Sequence, residues 1–388
     1  MIPYGRQCIA KRDIEAVVDV LNSDFLTQGP VVPQFESAVA NKVDAEFAVA
    51  VSSGTAALHL SCLALGLGDG DWLWTSPNTF VASANCGLYC GANIDFIDIN
   101  PKTYNIDIET LKSKLKKAEI IGVLPKIIVA VDFAGQSCDM KAIDELSKKY
   151  GFRIIEDASH ALGGKYEKKM IGNCKYCDIT IFSFHPVKII TTGEGGMAVT
   201  NNRLLAERLQ RLRAHGITRD IALMEKESPG KWYYEQIELG FNYRMTDIHA
   251  ALGLKQLEHL DDFIKKRKKI AEKYNLLLKK LPLVLPWQDP DTDSAYHLYV
   301  VQIDKNKTTL KRSSFYEYMC HNGVNVSVHY IPVYKQPYYI KHGFVDVECY
   351  QAESYYSNCL TLPIYPVMTE LEQEKVIELC QKYFEVVT

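Results

Sequence analysis

Lys188 stands in 178-DITIFSFHPVKIITTGEGG-196 between an apolar, β-branched run and a glycine cluster, with no Asp, Glu, Arg or other Lys within five residues. Surface lysines normally have polar company. A lysine led inward on a strand loses its water, its pKa falls, and the side chain becomes a usable amine nucleophile. Roughly thirty residues earlier, 153-RIIED-157 ends on Asp157, with His160 one turn later. Earlier still, 47-FAVAV-51 runs into Ser52-Ser53-Gly54-Thr55 and a helical pattern. The free N–H groups and positive dipole end of such a helix suit a phosphate. Each feature alone has a plainer reading: an ordinary helix cap, an acid capping a turn, a satisfied core histidine. Their order is more specific. A phosphate-type turn, an acid at one strand end and a lysine near another are what pyridoxal phosphate (PLP) requires. The lysine takes its aldehyde, and the acid keeps its pyridine nitrogen protonated. Gly193, Gly195 and Gly196 let the backbone pass close to a ligand.

The elements that must position these groups alternate. Strand patterns fall at 47-FAVAV-51, 94-IDFIDI-99, 127-IIVAVDF-133, 153-RIIED-157, 178-DITIFSF-184 and 196-GMAVT-200. Helical patterns such as 55-TAALHLSCLALG-66 and 139-DMKAIDELSKKY-150 lie between several of them. Near-continuous apolar strands separated by helices mean an α/β fold with a largely parallel sheet covered on both faces. Its strand carboxyl ends open on one edge, where ligands bind. Residues 247–281 read as one long helix. Pro-punctuated strands and helices follow, including 297-HLYVVQI-303, 324-VNVSVHYIPVY-334 and a last helix from about Glu370. A domain change is expected near residue 260, between a large unit (31–259) and a smaller α+β unit (260–388).

A chain of 388 residues exceeds the size at which single cores stop growing. Its 47% hydrophobic and 23% charged residues suit a globular enzyme. A net charge of -3 argues against nucleic acid as a partner. The basic run 264-IKKRKK-269, flanked by Asp261, Asp262 and Glu272, reads as a solvated helix face. The N-terminus has no apolar signal core and no apolar span has transmembrane length, so a cytoplasmic protein without a membrane partner is expected. Eleven irregularly spaced cysteines argue against a disulfide framework. Cys174 and Cys177 form a lone C-x-x-C, for which reduced structural thiols are expected and no metal. Neither G-x-x-x-x-G-K-[ST] nor G-x-G-x-x-G occurs, which removes P-loop and dinucleotide-binding readings.

Taken together, 26-LTQGPVVPQFE-36, 52-SSGTAALHL-60, 76-SPNTFVASAN-85, 156-EDASHALGG-164, 183-SFHPVK-188, 191-TTGEGG-196 and 240-GFNYRMTDIHAALG-253 resemble the sugar-nucleotide aminotransferase family. These are PLP enzymes of the aspartate-aminotransferase type (fold type I), and the resemblance spans almost the whole chain. Within the family, DFAGQS at 132–137, DASHALG at 157–163 and VHY at 328–330 look like the members acting on UDP-linked 4-keto sugars in pseudaminic acid biosynthesis. Many other members carry glutamine where this chain has His160.

The resemblance implies a large domain with a seven-stranded sheet and a role for each residue. Lys188 holds the cofactor aldehyde and moves a proton, and Asp157 pairs with the pyridine nitrogen. His160 approaches the ring hydroxyl, and Phe80 stacks on the ring. Gly54, Thr55 and Ser183 hold the phosphate, with Asn242 contributed by a neighbouring subunit, so a homodimer with shared sites is implied. Substrate contacts are implied for Tyr4, Asp24, Phe25, Leu26, Thr27, Gly54, Ser183, Asn242, Val328, His329, Tyr330 and Ile331. The segment 1–30 would then fold back to the substrate mouth. Some close relatives have lysine where this chain has Ile331, which removes a cation from beside the diphosphate. The implied reaction moves an amino group from L-glutamate to the C4 ketone of a UDP-linked 4-keto-6-deoxy-2-acetamido sugar. Rival readings are another UDP- or dTDP-linked keto sugar, a PLP sugar dehydratase (relatives with that chemistry replace the lysine with histidine) and a non-catalytic protein that kept the fold.

Overall fold

The computed structural model describes residues 1–386. Its main sheet has seven strands: Phe47–Val51 (β1), Trp72–Thr75 (β2), Asn93–Phe96 (β3), Ile127–Val131 (β4), Arg153–Asp157 (β5), Ile179–Ser183 (β6) and Gly196–Thr200 (β7). The order is β1-β7-β6-β5-β4-β2-β3. Six strands run parallel, and β7 alone is reversed, between β1 and β6. The strand β2 escaped the sequence reading because WLWT is only four residues long and follows a Gly-Asp turn. The runs assigned to 94–99 and 127–133 stop at Phe96 and Val131.

Period-two alternation divides the core between the two faces. After the helices Lys11–Leu21 (α1) and Val31–Val43 (α2) come Gly54–Ala64 (α3) and Ala82–Tyr89 (α4). Along β4, Ile127, Val129 and Val131 join one apolar cluster with α3 and α4, while Ile128 and Ala130 join another with Ile108–Ile121 and Met140–Tyr150. Edge strand β1 is blunted by an ion pair. Glu36 accepts from Ala50 N at 2.8 Å and pairs with Arg213, whose Nη1 donates to Ala50 O at 2.7 Å. The exposed pairing groups of an edge residue are thereby filled. The helix Val31–Val43 begins on a distant carboxylate: Asp247, fully buried, accepts from Gly29, Val31 and Val32 N–H at 2.6–3.0 Å. A carboxylate at a helix N-terminus is favoured by the free donors and the dipole.

The long helix expected over 247–281 is two helices, Asp247–Glu258 and Leu260–Leu278, interrupted at His259. The first starts on Thr246, whose hydroxyl accepts from His249 N. The second carries Phe263 and Ile264 into the large core and Ile270, Tyr274 and Leu278 into the C-terminal one. That C-terminal core gathers a three-stranded sheet (Leu283–Val284, Tyr299–Ile303, Cys359–Leu362) and the helices Arg312–His321 and Glu370–Val386. Ile2 is buried in it and pairs with Val324. The chain's first residues are therefore anchored on the C-terminal unit.

The basic run is a solvated face at Lys265, Lys266 and Lys269, but Arg267 departs from that reading: it is 1% exposed. Phe263, Ile264, Ile270, Ala271 and Tyr274, its neighbours three and four positions away or one turn further, are all buried, and that spacing was visible in the sequence. Cys174 and Cys177 are free thiols. Cys174 Sγ lies 3.2 Å from Val199 O and Cys177 Sγ 3.2 Å from Thr180 Oγ1. Among the described residues no group of three His, Cys, Asp or Glu is placed to hold a metal, and no helix is long and apolar enough to cross a membrane.

Candidate active site

A cavity of about 760 Å³ opens at the carboxyl ends of β1, β4, β5 and β6. Its floor starts where β1 meets α3. Ser53 caps α3, its Oγ accepting from Ala56 N at 3.1 Å, which contributes about 1 kcal/mol. The next residues, Gly54 and Thr55, line the cavity at the helix N-terminus, with Ser183 of β6 facing them. A Cβ on Gly54 would lie 3.0 Å from Ser183 Cβ, so the glycine keeps this cradle open. Reversed strand β7 makes the approach possible. Gly196 pairs with both Val51 and Ser183, and a Cβ there would reach within 2.4 Å of Ser53 O.

Asp157 ends β5 facing the cavity, nearly buried. Ser83 Oγ donates to its Oδ2 at 2.7 Å, and Ser159 donates to Oδ1 through Oγ at 2.6 Å and N–H at 3.2 Å. Thr79 Oγ1, 2.8 Å from Ser83 Oγ, extends the chain of bonds. Three donors thereby fix the orientation of this carboxyl group and aim it into the cavity. The sequence reading missed Ser83 and Ser159, although both lie in segments it quoted.

Lys188 lines the same cavity from the loop after β6 and is only partly accessible through it. Burial lowers its amine pKa to about 8, against the opposing pull of Asp157. Two histidines beside it, His160 and His329, have lowered pKa values. Burial and Lys188 hold His160 well below the usual imidazole range and bring His329 down to about 4. His160 Nδ1 accepts from Ala134 N–H at 3.3 Å, and its Nε2 lies 3.3 Å from Tyr330 OH. Phe80 is 58% exposed and lines the cavity, its ring 6.5 Å from Tyr330. The opposite wall is Tyr4, His329 and Tyr330. Tyr4 O is held by Ile364 N–H at 3.1 Å, and the Tyr4 ring lies 5.5 Å from His329.

Other expected site residues lie elsewhere. Val328 packs on the cores, and Ile331 is 40% exposed outside the cavity lining. Asp24, Phe25, Leu26 and Asn242 are exposed, and none of them lines this chain's cavity. Thr27, also exposed, bridges to Thr246, and Leu26 O accepts from Asp247 N, so this segment sits beside the start of the 247–258 helix. Asn242 lies between Phe241 and Tyr243, whose rings stack 5.1 Å apart.

The residues present fit pyridoxal phosphate. A desolvated amine, a carboxylate fixed by three donors, an open cradle at a helix N-terminus and an exposed aromatic face meet in one cavity. Comparison with known proteins agrees. The DegT/DnrJ/EryC1/StrS aminotransferase family matches residues 7–381. The spore coat polysaccharide biosynthesis protein SpsC of Bacillus subtilis is 40% identical over 97% of this chain and 95% of its own. The UDP-4-amino-4,6-dideoxy-N-acetyl-beta-L-altrosamine transaminase of Campylobacter jejuni is 38% identical over 95% of this chain and 93% of its own. The structure of Helicobacter pylori PseC, an aminotransferase involved in the biosynthesis of pseudoaminic acid, superposes with a TM-score of 0.89 at 31% identity, covering 99% of both chains.

Proposed function

The chain belongs to the DegT/DnrJ/EryC1/StrS aminotransferase family and is a PLP-dependent sugar aminotransferase of fold type I; from that premise we propose that it aminates the C4 ketone of a UDP-linked 4-keto-6-deoxy-2-acetamido sugar, with L-glutamate as donor, in pseudaminic acid biosynthesis. The observation that carries this reading is the meeting of Lys188, Asp157 and the Gly54–Ser183 cradle in one cavity whose remaining wall comes from both ends of the chain, Tyr4 from the first residues and His329 and Tyr330 from the C-terminal part. When bound, the cofactor supplies an electron sink for the substrate's amino carbon and carries the amino group between the two half-reactions.

The chain's residues do the rest. Gly54, Thr55 and Ser183 hold the phosphate at the positive end of α3. Asp157, oriented by Ser83 and Ser159, would be the carboxyl group that pairs with the pyridine nitrogen. Lys188, its pKa lowered to about 8 by burial, gives up its proton far more readily than a surface lysine and would be the amine that holds the cofactor aldehyde. The same amine, free in the cavity, would move a proton to and from the substrate's reacting carbon. His160 would offer an N–H to the cofactor's ring hydroxyl, and Phe80 would supply an aromatic face for its ring. Tyr4, His329 and Tyr330 position the sugar so that its ketone faces the transferred amine. Eleven free thiols suit a reducing compartment, and we place the enzyme in the cytoplasm.

Two measurements test this. Borohydride reduction of the holoenzyme followed by peptide mapping should place a phosphopyridoxyl group on Lys188, and an adduct on another lysine overturns its role. A panel of UDP- and dTDP-linked keto sugars, with glutamate as donor and the product read by NMR, should give the highest turnover on the UDP-linked 4-keto sugar. Best turnover on a dTDP-linked or 3-keto sugar rejects the substrate.

A further inference from the structure

Arg267 is almost completely buried, yet among the described residues it forms no ion pair. A buried uncompensated cation costs several kcal/mol, and a methionine or leucine would fill the space without that cost. What an apolar side chain cannot do is donate. Arg267 Nη1 donates to three backbone carbonyls: Tyr296 O and His297 O at 3.2 Å, and Ile364 O at 3.0 Å.

We propose that Arg267 is a positioning residue that fixes His160, in the cofactor pocket, as a neutral imidazole protonated on Nε2. The link runs through backbone. The stretch 295–298, held by Arg267, donates back to the turn at 133–135: Ala295 N–H to Gly135 O at 2.9 Å, and Leu298 N–H to Ala134 O at 3.3 Å. Ala134 sits at φ 59, a strained conformation for a residue with a Cβ, and its N–H points at His160 Nδ1. A backbone N–H can only donate, so Nδ1 must keep its lone pair and the proton of the neutral ring sits on Nε2. That nitrogen is the one beside Tyr330 OH.

The contact between the two segments leaves no slack. At Gly135, φ 102, a Cβ would meet Tyr296 N at 2.9 Å, His160 O at 3.0 Å and His297 N at 3.1 Å. Movement of the 295–298 stretch therefore passes directly to the turn that sets the His160 tautomer. The His297 ring lies 4.3 Å from the His160 ring, fully enclosed, and its Nδ1 has no hydrogen-bond partner. Burial, followed by the neighbouring His160, Lys188 and Arg267, pushes the pKa of that second ring well below the usual imidazole range. The third carbonyl ties in the substrate side, because Ile364 N–H holds Tyr4 O. One guanidinium thus anchors both walls of the cavity.

The test is the histidine tautomer in holoenzyme labelled with 15N-histidine, followed through two-bond 1H–15N correlations and assigned by the signals lost in His160→Gln. Wild type should show His160 as a single Nε2–H form with no titration between about pH 5.5 and 9. Arg267→Lys keeps the charge but not the planar fork. It should move the His160 signals toward a two-tautomer average and slow the glutamate half-reaction about tenfold. Arg267→Gln, where it folds, should do both to a greater degree. Wild-type His160 signals in folded Arg267→Lys, with only a lowered thermal midpoint, reduce Arg267 to a packing residue and overturn the proposal. The rate effect rests on the proposed placement of His160 against the cofactor, and the tautomer does not. A shifted tautomer at unchanged rate would sink that placement and leave the relay standing.

Discussion

At Lys188 two effects oppose each other: burial expels the proton and Asp157 retains it, and burial wins, leaving a pKa of about 8. Between that value and the ordinary 10.5 the unfolded chain binds more protons than the folded one. Stability of the cofactor-free protein should therefore rise with pH across this window, and the cost of a buried ammonium is present in full below about pH 8. Lys188→Met removes the cost. In urea titrations without cofactor the variant should outlast wild type at pH 7, and the difference should fade as the pH approaches 10.5. A wild type equal or superior at pH 7 contradicts a desolvated amine. The lysine was legible in the sequence because its neighbours are apolar on one side and glycine-rich on the other. Asp157 was legible because it ends an apolar run. Ser159 was passed over although Asp157 stands only two residues before it, whereas Ser83 and Arg267 were not assigned roles because a hydroxyl in a small-residue helix or an arginine in a basic run has no local signature of its partners. Those partners lie 74 residues away for Ser83 and 29 to 97 for Arg267.

Among the elements, helix α3 and its glycine carry the sharpest demand. Gly54 begins α3 at an ordinary helical φ, so alanine would suit the backbone and gain roughly 0.5–1 kcal/mol of helix propensity. The same Cβ enters the cradle 3.0 Å from Ser183 Cβ. Gly54→Ala should therefore leave the cofactor-free thermal midpoint unchanged or raised while weakening PLP binding by about tenfold, a loss of about 1.4 kcal/mol. Fluorescence titration with PLP alongside thermal melts reads both. Undiminished affinity would show that the phosphate sits elsewhere. Most of this architecture was readable because buried parallel strands are nearly continuous in β-branched residues. The failures were those of short range: a four-residue strand after a turn, and a helix break at His259 with no Pro or Gly to mark it.

In the whole molecule, the residues that missed the cavity form a pattern. Asn242 and the segment 24–27 are both surface-exposed and are joined through Thr27, Thr246 and Asp247, with Phe25 55% and Leu26 47% exposed. Asn242 is held out by its neighbours: the Tyr243 ring stacks on Phe241, its hydroxyl lies 3.4 Å from His59 Nδ1, and the His59 ring is 4.8 Å from Phe241. Side chains that the family resemblance implies for an active site, yet are fixed on the outside of their own chain, make sense when a second copy brings its cavity to them. The folded single chain could not have been read for this from sequence, since the pairing depends on a surface formed only after folding. The proposed homodimer yields a quantitative expectation. Lys188→Ala and Asn242→Ala should each be nearly inactive alone. Unfolded together in equal amounts and refolded, half the dimers are mixed, and each mixed dimer has one site with both residues intact. Activity should recover to roughly a quarter of wild type. Recovery no greater than the sum of the two parents would mean that Asn242 serves its own chain, and that the exposed patch has another use.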